Sequence, residues 1–336
     1  FCLSRGLGDV YKRQINMCKD LYEAELVFRN EMNTCDKLLL PILGRSIISA
    51  IYSEKSEESE KLINNTSISQ PAIFSIEYSL TKLWESYGIT PSAVMGHSLG
   101  EFAAAVTSGI LSLESAITLV AKRAKIMASL PQNDGIMVAC RVSEAQVLKS
   151  IEELDLNDSV AVAAINGPKS ITISGNRHSV LKVLTNMGME ERYKQLDVSH
   201  AFHSPLVSTA EHQFEKVIEN TEFSEPKITF ISSVTGEIET KLLVEKKYWA
   251  QHIIRSVRYY DALETTASLD HENIVIIEIG PRSVPTTMGK QAIGGIQLTN
   301  ISSENIQNND IVWIPTIENS KSTSEDFNSA LKITKE

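Results

Sequence analysis

The sequence predicts an α/β protein made of two subdomains, one large and one small. Three observations lead to this prediction. Short apolar strands alternate with helical segments in both halves of the chain, which is the order expected of a parallel sheet covered by helices. A G-x-S-x-G string lies between a strand and a helix. The middle of the chain shows the strand and helix order βαββαβ, which indicates an inserted ferredoxin-like unit.

Composition excludes several classes of protein. The 336 residues are 42% apolar and 22% charged and carry a formal charge of -10, so we expect no nucleic-acid partner. The sequence has no long apolar run and no charged-then-apolar leader, so we expect a cytoplasmic protein without a membrane partner. Its four cysteines lack the spacing of metal ligands, and we expect no metal and no bound cofactor.

The first stretch, residues 1–14, is set apart from the rest of the chain. Its string FCLSRGLGDVYKRQ has no apolar periodicity and is similar to translated sequencing-adapter sequence. We therefore exclude it from the expected fold. On this interpretation the natural sequence begins upstream of Ile15, and the chain is a fragment.

The first half of the large subdomain is expected at 15–131. Helical periodicity is followed by a polar link, and Pro71 is predicted to open a helix that stops at Gly88. A short strand, AVMG, leads through GHSLG into a helix rich in small residues. The string SLESAITLVAKRAKIMASL then predicts an amphipathic helix that Pro131 ends.

The small subdomain is expected at 132–198, and the second half of the large one at 199–300. In this second half Ser204 is a predicted N-cap with Pro205 at the first helical position. Two apolar strands follow, ITFISSVTG and NIVIIEIGP. The remainder, 301–336, is polar apart from VWIPTI and is expected to be a mostly extended linker.

Ser98 is the candidate nucleophile because it is the central residue of Gly96-His97-Ser98-Leu99-Gly100. In a nucleophile elbow, glycines allow the sharp strand-to-helix turn that lifts the serine hydroxyl into a pocket, as in α/β-hydrolase-like folds. The following helix start makes the Leu99 amide a candidate oxyanion donor. The alternative is that Ser98 is only a glycine-flanked helix N-cap.

His203 is the candidate base among seven histidines. It lies at the end of an expected strand directly before a helix start, where the helix dipole disfavours a cation and favours the neutral imidazole that a base requires. The alternative is a polar loop residue without a catalytic role.

Arg123 is unusual because helical spacing places it within the apolar stripe formed by Leu119, Val120 and Met127. An inward arginine is unfavourable unless it meets an anion, and its planar fork suits a carboxylate. That carboxylate belongs either to a ligand or to a buried Asp or Glu.

A family resemblance is carried by five motifs in order: GHSLGE, the arginine of AKRAK, NGP, HAFHSP and EIGP. They resemble the acyltransferase domains of modular polyketide synthases and the related malonyl-CoA:acyl carrier protein transacylases. The similarity runs from about Ile15 to Gly294. The tail IVWIPTIENSKSTSEDF is similar to the segment that follows this domain in the synthases, which favours an origin in a multidomain protein.

The resemblance implies roles for individual residues. Ser98 would become malonylated, His203 would be the base, oriented by a backbone carbonyl, and Arg123 would bind the malonyl carboxylate. Leu99 and Phe202 are similar to the residues of malonyl-selective members. Further substrate-pocket positions match His97, Asn166 and His252.

Some of these positions also have other interpretations. His97 and Asn166 are equally explained as polar groups that stabilise turns. After His252, Ser256 replaces a proline of the relatives. The relatives also begin with a Gly-Gln-Gly turn whose glutamine amide donates to the oxyanion, and this chain lacks it. Loss of one such donor typically slows an enzyme by about 100- to 1000-fold.

The activity implied by the resemblance is transfer of malonyl from malonyl-CoA, through a malonyl-serine, to the phosphopantetheine thiol of an acyl carrier protein. The product would serve polyketide or fatty-acid synthesis, with ketosynthase and other synthase domains as partners. One alternative is a thioesterase of the α/β-hydrolase type, for which Asp270 and His271 are the late acid and base candidates. Another is a non-catalytic docking module.

Overall fold

A computed structural model describes residues 2–4, 15–131, 134–269, 273–297, 310–318 and 322–334. Ten strands lie in these ranges: β1 (Cys2–Ser4), β2 (Ala93–Gly96), β3 (Gly135–Cys140), β4 (Val160–Gly167), β5 (Ser170–Asn176), β6 (Tyr193–Gln195), β7 (Thr229–Ile231), β8 (Ile274–Glu278), β9 (Ile296–Gln297) and β10 (Ile311–Pro315). The described α-helices are Lys19–Ala24, Leu26–Leu43, Ile47–Ile51, Glu57–Asn64, Thr66–Ser86, Gly100–Thr107, Leu113–Ser129, Glu144–Glu153, Arg177–Asn186, Ser208–Ile218, Lys246–Gln251, Tyr259–Ala267, Val284–Ile293 and Thr323–Ile333. None of the helices described is long and apolar enough to cross a membrane.

The large subdomain contains a parallel sheet with the strand order β7-β2-β1-β8-β10-β9. Parallel sheets are normally buried on both faces, and helices cover this one. Three of these helices contribute to the site described below. They are the elbow helix (Gly100–Thr107), the arginine helix (Leu113–Ser129) and the core helix (Thr66–Ser86).

The small subdomain has the predicted ferredoxin-like order. Its antiparallel sheet runs β4-β5-β3-β6, and its two helices follow β3 and β5. A separate apolar core, which includes Val138, Ile173 and Val180, lies between sheet and helices. The α/β fold with a parallel sheet and an inserted ferredoxin-like unit is therefore confirmed.

The two subdomains are joined by backbone hydrogen bonds at β4, an edge strand of the small sheet. Val257 N–H donates to the Ala163 carbonyl at 2.9 Å, and Ile165 N–H donates to the Val257 carbonyl at 2.9 Å. The segment around Val257 thus extends the edge of the small sheet. Asn166 is the next residue along β4, so this contact fixes the position of Asn166 relative to the large subdomain.

Pro71 does not open its helix, which corrects the sequence prediction. The core helix begins at Thr66, and the Asn65 side chain caps it by accepting from Ser67 N–H at 2.9 Å. Proline removes only one backbone donor near a helix start, and burial of the residues before it favours a longer helix. The longer helix brings Gln70 into the protein interior.

Both ends of the chain contribute to the sheet, contrary to expectation. Residues 2–4 form β1 between β2 and β8, although we excluded 1–14 from the fold; residues 5–14 lie outside the described ranges. At the other end β10 pairs with β8, and the helix Thr323–Ile333 follows, so 301–336 is not a mostly extended linker. Phe327 of this helix packs edge-on against Trp84, with ring centroids 5.0 Å apart. Apolar burial explains why this segment folds.

The turn from β2 into the elbow helix requires glycine at position 96. A Cβ built on Gly96 would lie 2.2 Å from the backbone nitrogen of Glu101, in the first turn of that helix. Such a contact with backbone is not relieved by a side-chain rotation. The strand and helix can approach this closely only because Gly96 has no side chain.

We predict that Gly96→Ala destabilises the protein by about 3 kcal/mol or more, beyond the usual overpacking range, because the clash involves backbone atoms. Gly88→Ala is the matched control, since Gly88 has a positive φ of 83° but open space around it. We expect the control to lose only about 1 kcal/mol. Urea unfolding of both variants measures the difference, and equal losses would contradict the close approach.

Candidate active site

Ser98 lies at the turn between β2 and the elbow helix with a left-handed backbone, φ 53°. This conformation is unfavourable for a residue with a side chain, and strained residues of this kind concentrate at functional sites. The serine is 4% exposed. The local geometry therefore matches the predicted nucleophile elbow.

His203 lies directly against Ser98. The Ser98 Oγ and His203 Nε2 atoms are 2.8 Å apart, although the two residues are far apart in sequence. The other ring nitrogen, Nδ1, is 2.8 Å from the Arg255 carbonyl oxygen. A carbonyl only accepts, so Nδ1 carries the proton and Nε2 is free to accept from the serine hydroxyl. His203 also has a positive φ, 55°.

The pKa of His203 lies well below its usual value of 6.5. Burial is the main cause, because it disfavours the charged imidazolium. The nearby His252 and Arg123 lower this pKa further, whereas the bond to the Arg255 carbonyl opposes the shift. A neutral imidazole is the form expected from the helix start that follows. The turn Pro205–Val207 and the helix Ser208–Ile218 do follow His203, but burial is the main cause of the lowered pKa.

Leu99 is at the N-terminus of the elbow helix. The bonds from Gly100 N–H to the His97 carbonyl and from Glu101 N–H to the Ser98 carbonyl mark the first turn of this helix. The N–H groups that begin a helix have no partner within it and carry the positive end of its dipole. The Leu99 N–H is therefore well placed to donate a hydrogen bond to negative charge that develops next to Ser98.

Arg123 is buried on the arginine helix, at 2% exposure, as its helical spacing predicted. Its Nη1 donates to Oε1 of Gln70 on the core helix at 2.6 Å, and its guanidinium carbon lies 6.0 Å from the Phe102 ring centroid. The same Phe102 ring packs against the His252 ring at 5.7 Å, and the His252 and His203 ring centroids are 6.4 Å apart. A fixed cation therefore lies close to the Ser98–His203 pair.

His97 and Asn166 contact each other. His97 Nε2 is 3.0 Å from Asn166 Oδ1, and both residues are buried. This bond joins the elbow to the end of β4 in the small subdomain. Phe202 is also buried and packs near the His200 ring, with centroids 5.9 Å apart.

A cavity of about 540 Å³ opens between β4, β5 and the helix Val284–Ile293, and Asn166 lines it. Arg141 and Lys169 supply positive charge at its wall. Neither side chain pairs with a carboxylate within the part of the chain that the structure describes. The cavity thus combines positive charge with a wall residue that contacts the elbow.

His252, a candidate substrate-pocket residue, directs its Nε2 atom at another side chain of the protein. Nε2 lies 2.9 Å from the buried carboxylate of Glu101, and the His252 and His203 ring centroids are 6.4 Å apart. The contacts of Glu101 and Gln70 are not predicted from the sequence, and the expected orienting carbonyl is identified by the structure as that of Arg255. The glutamate was visible in GHSLGE as a charge on a helix otherwise rich in apolar residues, but a backbone carbonyl leaves no signal in the sequence.

A serine at a strained strand-to-helix turn, paired with a neutral histidine, defines the class of serine-nucleophile enzymes. The family model described as "Acyl transferase domain" matches residues 14–329, so the chain belongs to the acyl transferase family and is an acyltransferase. Polyketide synthase GfsA of Streptomyces halstedii is 37% identical over 255 residues, which is 75% of this chain. These residues are only 3% of that synthase, so the chain spans a small part of its relative.

Solved structures share the fold. The acyltransferase domain from the second module of the salinomycin polyketide synthase has a TM-score of 0.85 and 32% identity, covering 99% of this chain and 72% of that one. A malonyl-transacylase, PlMCAT, solved in complex with the type II polyketide synthase acyl-carrier protein AntF, has a TM-score of 0.80 and 22% identity, covering 98% of each chain. The second likeness is one of fold alone.

We predict that His203 stays neutral at pH values where an ordinary histidine is half protonated. Because its pKa is lowered, protonation should begin only below pH 6.5, and above that pH the free Nε2 should persist. An NMR titration of the histidine ring protons measures this, with the His203 signal assigned by its absence in His203→Gln. A midpoint at or above 6.5 would contradict the burial argument.

Proposed function

We propose that this chain transfers a malonyl group from malonyl-CoA to the phosphopantetheine thiol of an acyl carrier protein, through a malonyl ester on Ser98. The observation that carries the proposal is the 2.8 Å contact between Ser98 Oγ and His203 Nε2, with Nδ1 fixed by the Arg255 carbonyl. This arrangement leaves a proton acceptor facing the serine hydroxyl, as a nucleophile–base pair requires.

In the first half-reaction Ser98 Oγ attacks the thioester carbonyl while its proton passes to His203 Nε2. The carbonyl oxygen becomes an oxyanion, and the Leu99 N–H donates to it. Collapse of this intermediate breaks the carbon–sulfur bond, and coenzyme A leaves with the proton from His203. In the second half the carrier thiol gives its proton to His203 and attacks the ester, and Ser98 recovers a proton as it leaves.

Arg123 supports the choice of malonyl. A guanidinium binds a carboxylate through two parallel hydrogen bonds, and Arg123 is a buried cation beside Phe102 of the elbow helix. Gln70 holds one Nη1 hydrogen, which orients the guanidinium plane. Leu99 and Phe202 are both buried, in line with their resemblance to malonyl-selective members.

The cavity beside Asn166 supports coenzyme A as the acyl donor. The whole chain carries a formal charge of -10, so phosphate groups need local cations. Arg141 and Lys169 provide them at a cavity wall. Since Asn166 contacts His97, next to the nucleophile, this cavity suits the phosphate-bearing end of the donor while the thioester reaches Ser98.

Transfer to a carrier protein is favoured over hydrolysis. Ser98 and His203 are 4% and 2% exposed, which limits the access of water to an ester on the serine. The base that meets Ser98 is His203; Asp270 and His271, which a thioesterase would need, lie outside the described residues. The synthase and transacylase relatives support a carrier protein and other synthase domains as partners. We place the reaction in the cytoplasm, where thiols such as those of the described cysteines stay reduced.

We predict that malonyl-CoA acylates Ser98. Mass spectrometry after incubation should show a malonyl adduct on the peptide that contains this serine, and Ser98→Ala should show none. His203→Ala should slow labelling by about 100-fold or more, as expected for loss of a general base. His200→Ala is the control, since the His200 ring bonds to Ser199 and Leu130 instead of Ser98. Equal labelling of Ser98→Ala would refute the assignment.

We predict that Arg123→Ala reverses the preference between acyl donors. Its loss leaves the malonyl carboxylate unpaired in a buried site, which corresponds to on the order of 2–5 kcal/mol. Malonyl transfer should therefore collapse, whereas acetyl transfer, which involves no carboxylate, should persist or improve. Competition between malonyl-CoA and acetyl-CoA measures the change.

Lys122→Ala is the matched control for this experiment. Lys122 is exposed on the same helix, so its truncation should leave the preference unchanged. If Arg123 instead forms a structural ion pair, both activities and the melting temperature should fall together. A parallel loss would therefore count against a role in binding malonyl.

A further inference from the structure

A fully buried carboxylate lies one turn beyond the nucleophile. Glu101 is the second residue of the elbow helix and has no exposed surface. A buried carboxylate is unfavourable unless several donors satisfy it. These donors show which other segments of the chain are hydrogen-bonded to Glu101.

All the observed donors to Glu101 come from the second half of the large subdomain. Ser233 N–H donates to Oε1 at 2.6 Å, and the Tyr248 hydroxyl lies 3.1 Å from both oxygens. His252 Nε2 lies 2.9 Å from Oε2. Ser233 follows β7, whereas Tyr248 and His252 belong to the helix Lys246–Gln251 and its C-cap. One carboxylate thus joins the elbow helix to two separate segments.

The orientation of His252 depends on this carboxylate. Its Nδ1 atom is buried and has no hydrogen-bond partner among the described residues, so the bond to Glu101 is its polar anchor. The ring packs edge-on against Phe102 of the elbow helix, with centroids 5.7 Å apart at 86°. Both contacts attach His252 to the helix that begins at the nucleophile.

His252 is in turn linked to the carbonyl that orients the base. The backbone between them continues as a helical turn, since His252 N–H donates to the Tyr248 carbonyl at 3.0 Å and Arg255 N–H donates to the Gln251 carbonyl at 2.9 Å. The Arg255 carbonyl then accepts from His203 Nδ1. His203 contacts the Ser98 hydroxyl, and Glu101 N–H donates to the Ser98 carbonyl. The contacts from Glu101 through His252, Arg255 and His203 to Ser98 thus form a closed ring.

We propose that Glu101 and His252 form a positioning pair that fixes the Arg255 carbonyl, and through it the His203 ring, relative to Ser98. The proposal rests on the proposed function of Ser98 and His203. Neither residue of the pair touches the reacting atoms. The Glu101 carboxylate belongs to the helix that follows Ser98. Its bond to His252 therefore determines where the segment that carries the Arg255 carbonyl can lie.

The test compares two replacements of His252 that differ in one property. His252→Gln keeps an N–H donor for Glu101, whereas His252→Met has a similar volume and none. We expect His252→Met to lower kcat by about 10- to 100-fold, the effect of a small misplacement of catalytic groups, with little change in the KM for malonyl-CoA. His252→Gln should retain most of the activity.

A spectroscopic measurement separates this proposal from the proposed function. The His203 Nδ1 proton, bonded to the Arg255 carbonyl, should give a slowly exchanging downfield NMR signal that is absent in His203→Gln. We expect this signal in the wild type and in His252→Gln, and its loss in His252→Met. It reports the position of His203 even if the protein transfers no malonyl, so failure of the activity assay alone would refute only the function.

Two further variants distinguish the loss of positioning from a general loss of folding. Glu101→Gln keeps the side-chain shape and should weaken the same NMR signal even if His252→Met does not fold. Thr81→Val removes a buried hydrogen bond about three turns along the core helix from Gln70, where the Thr81 hydroxyl donates to the Glu77 carbonyl at 2.9 Å. It should lower the melting temperature without changing kcat. An unchanged His203 signal in both His252→Met and Glu101→Gln would overturn the proposal.

Discussion

The hydrogen bond from His203 Nδ1 to the Arg255 carbonyl is the contact on which the site depends. It fixes the imidazole tautomer, and so it decides that Nε2 faces Ser98 as an acceptor. An aspartate could serve the same purpose, but its charge would raise the pKa of the histidine. A neutral carbonyl orients the ring and raises the pKa less than a carboxylate would. Burial can then keep the His203 imidazole unprotonated. The parts of the fold near this bond serve to hold the carbonyl in place.

The small subdomain holds that carbonyl from one side. Ser256 donates its hydroxyl hydrogen to the Val162 carbonyl at 2.6 Å, and the next residue, Val257, pairs with β4. This side-chain hydrogen bond fixes the backbone directly after the Arg255 carbonyl. The inserted subdomain therefore contributes to the position of His203 as well as to a cavity wall.

The parallel sheet supplies the other side of the site. β2 and β7 are neighbours, with Met95 opposite Ile231, so the segments after their carboxyl ends start close together. One of them leads through the elbow to Ser98, and the other leads to Ser233, whose N–H binds Glu101. Functional groups at the carboxyl edge of a parallel sheet are expected from its topology. The buried glutamate uses this proximity to join both segments.

The sequence by itself determined the elements whose signals are local. Periodicity gave the inward position of Arg123, the glycine-flanked string gave the elbow at Ser98, and the strand order gave the ferredoxin-like unit, because each depends on neighbours a few residues away. The start of the core helix and the paired tail were mispredicted, since burial against distant parts of the chain outweighs local signals. Only the tertiary structure decided which carbonyl orients His203 and which groups satisfy Glu101. Backbone carbonyls are the same in every residue, and contacts between residues more than 100 positions apart leave no trace in a single sequence.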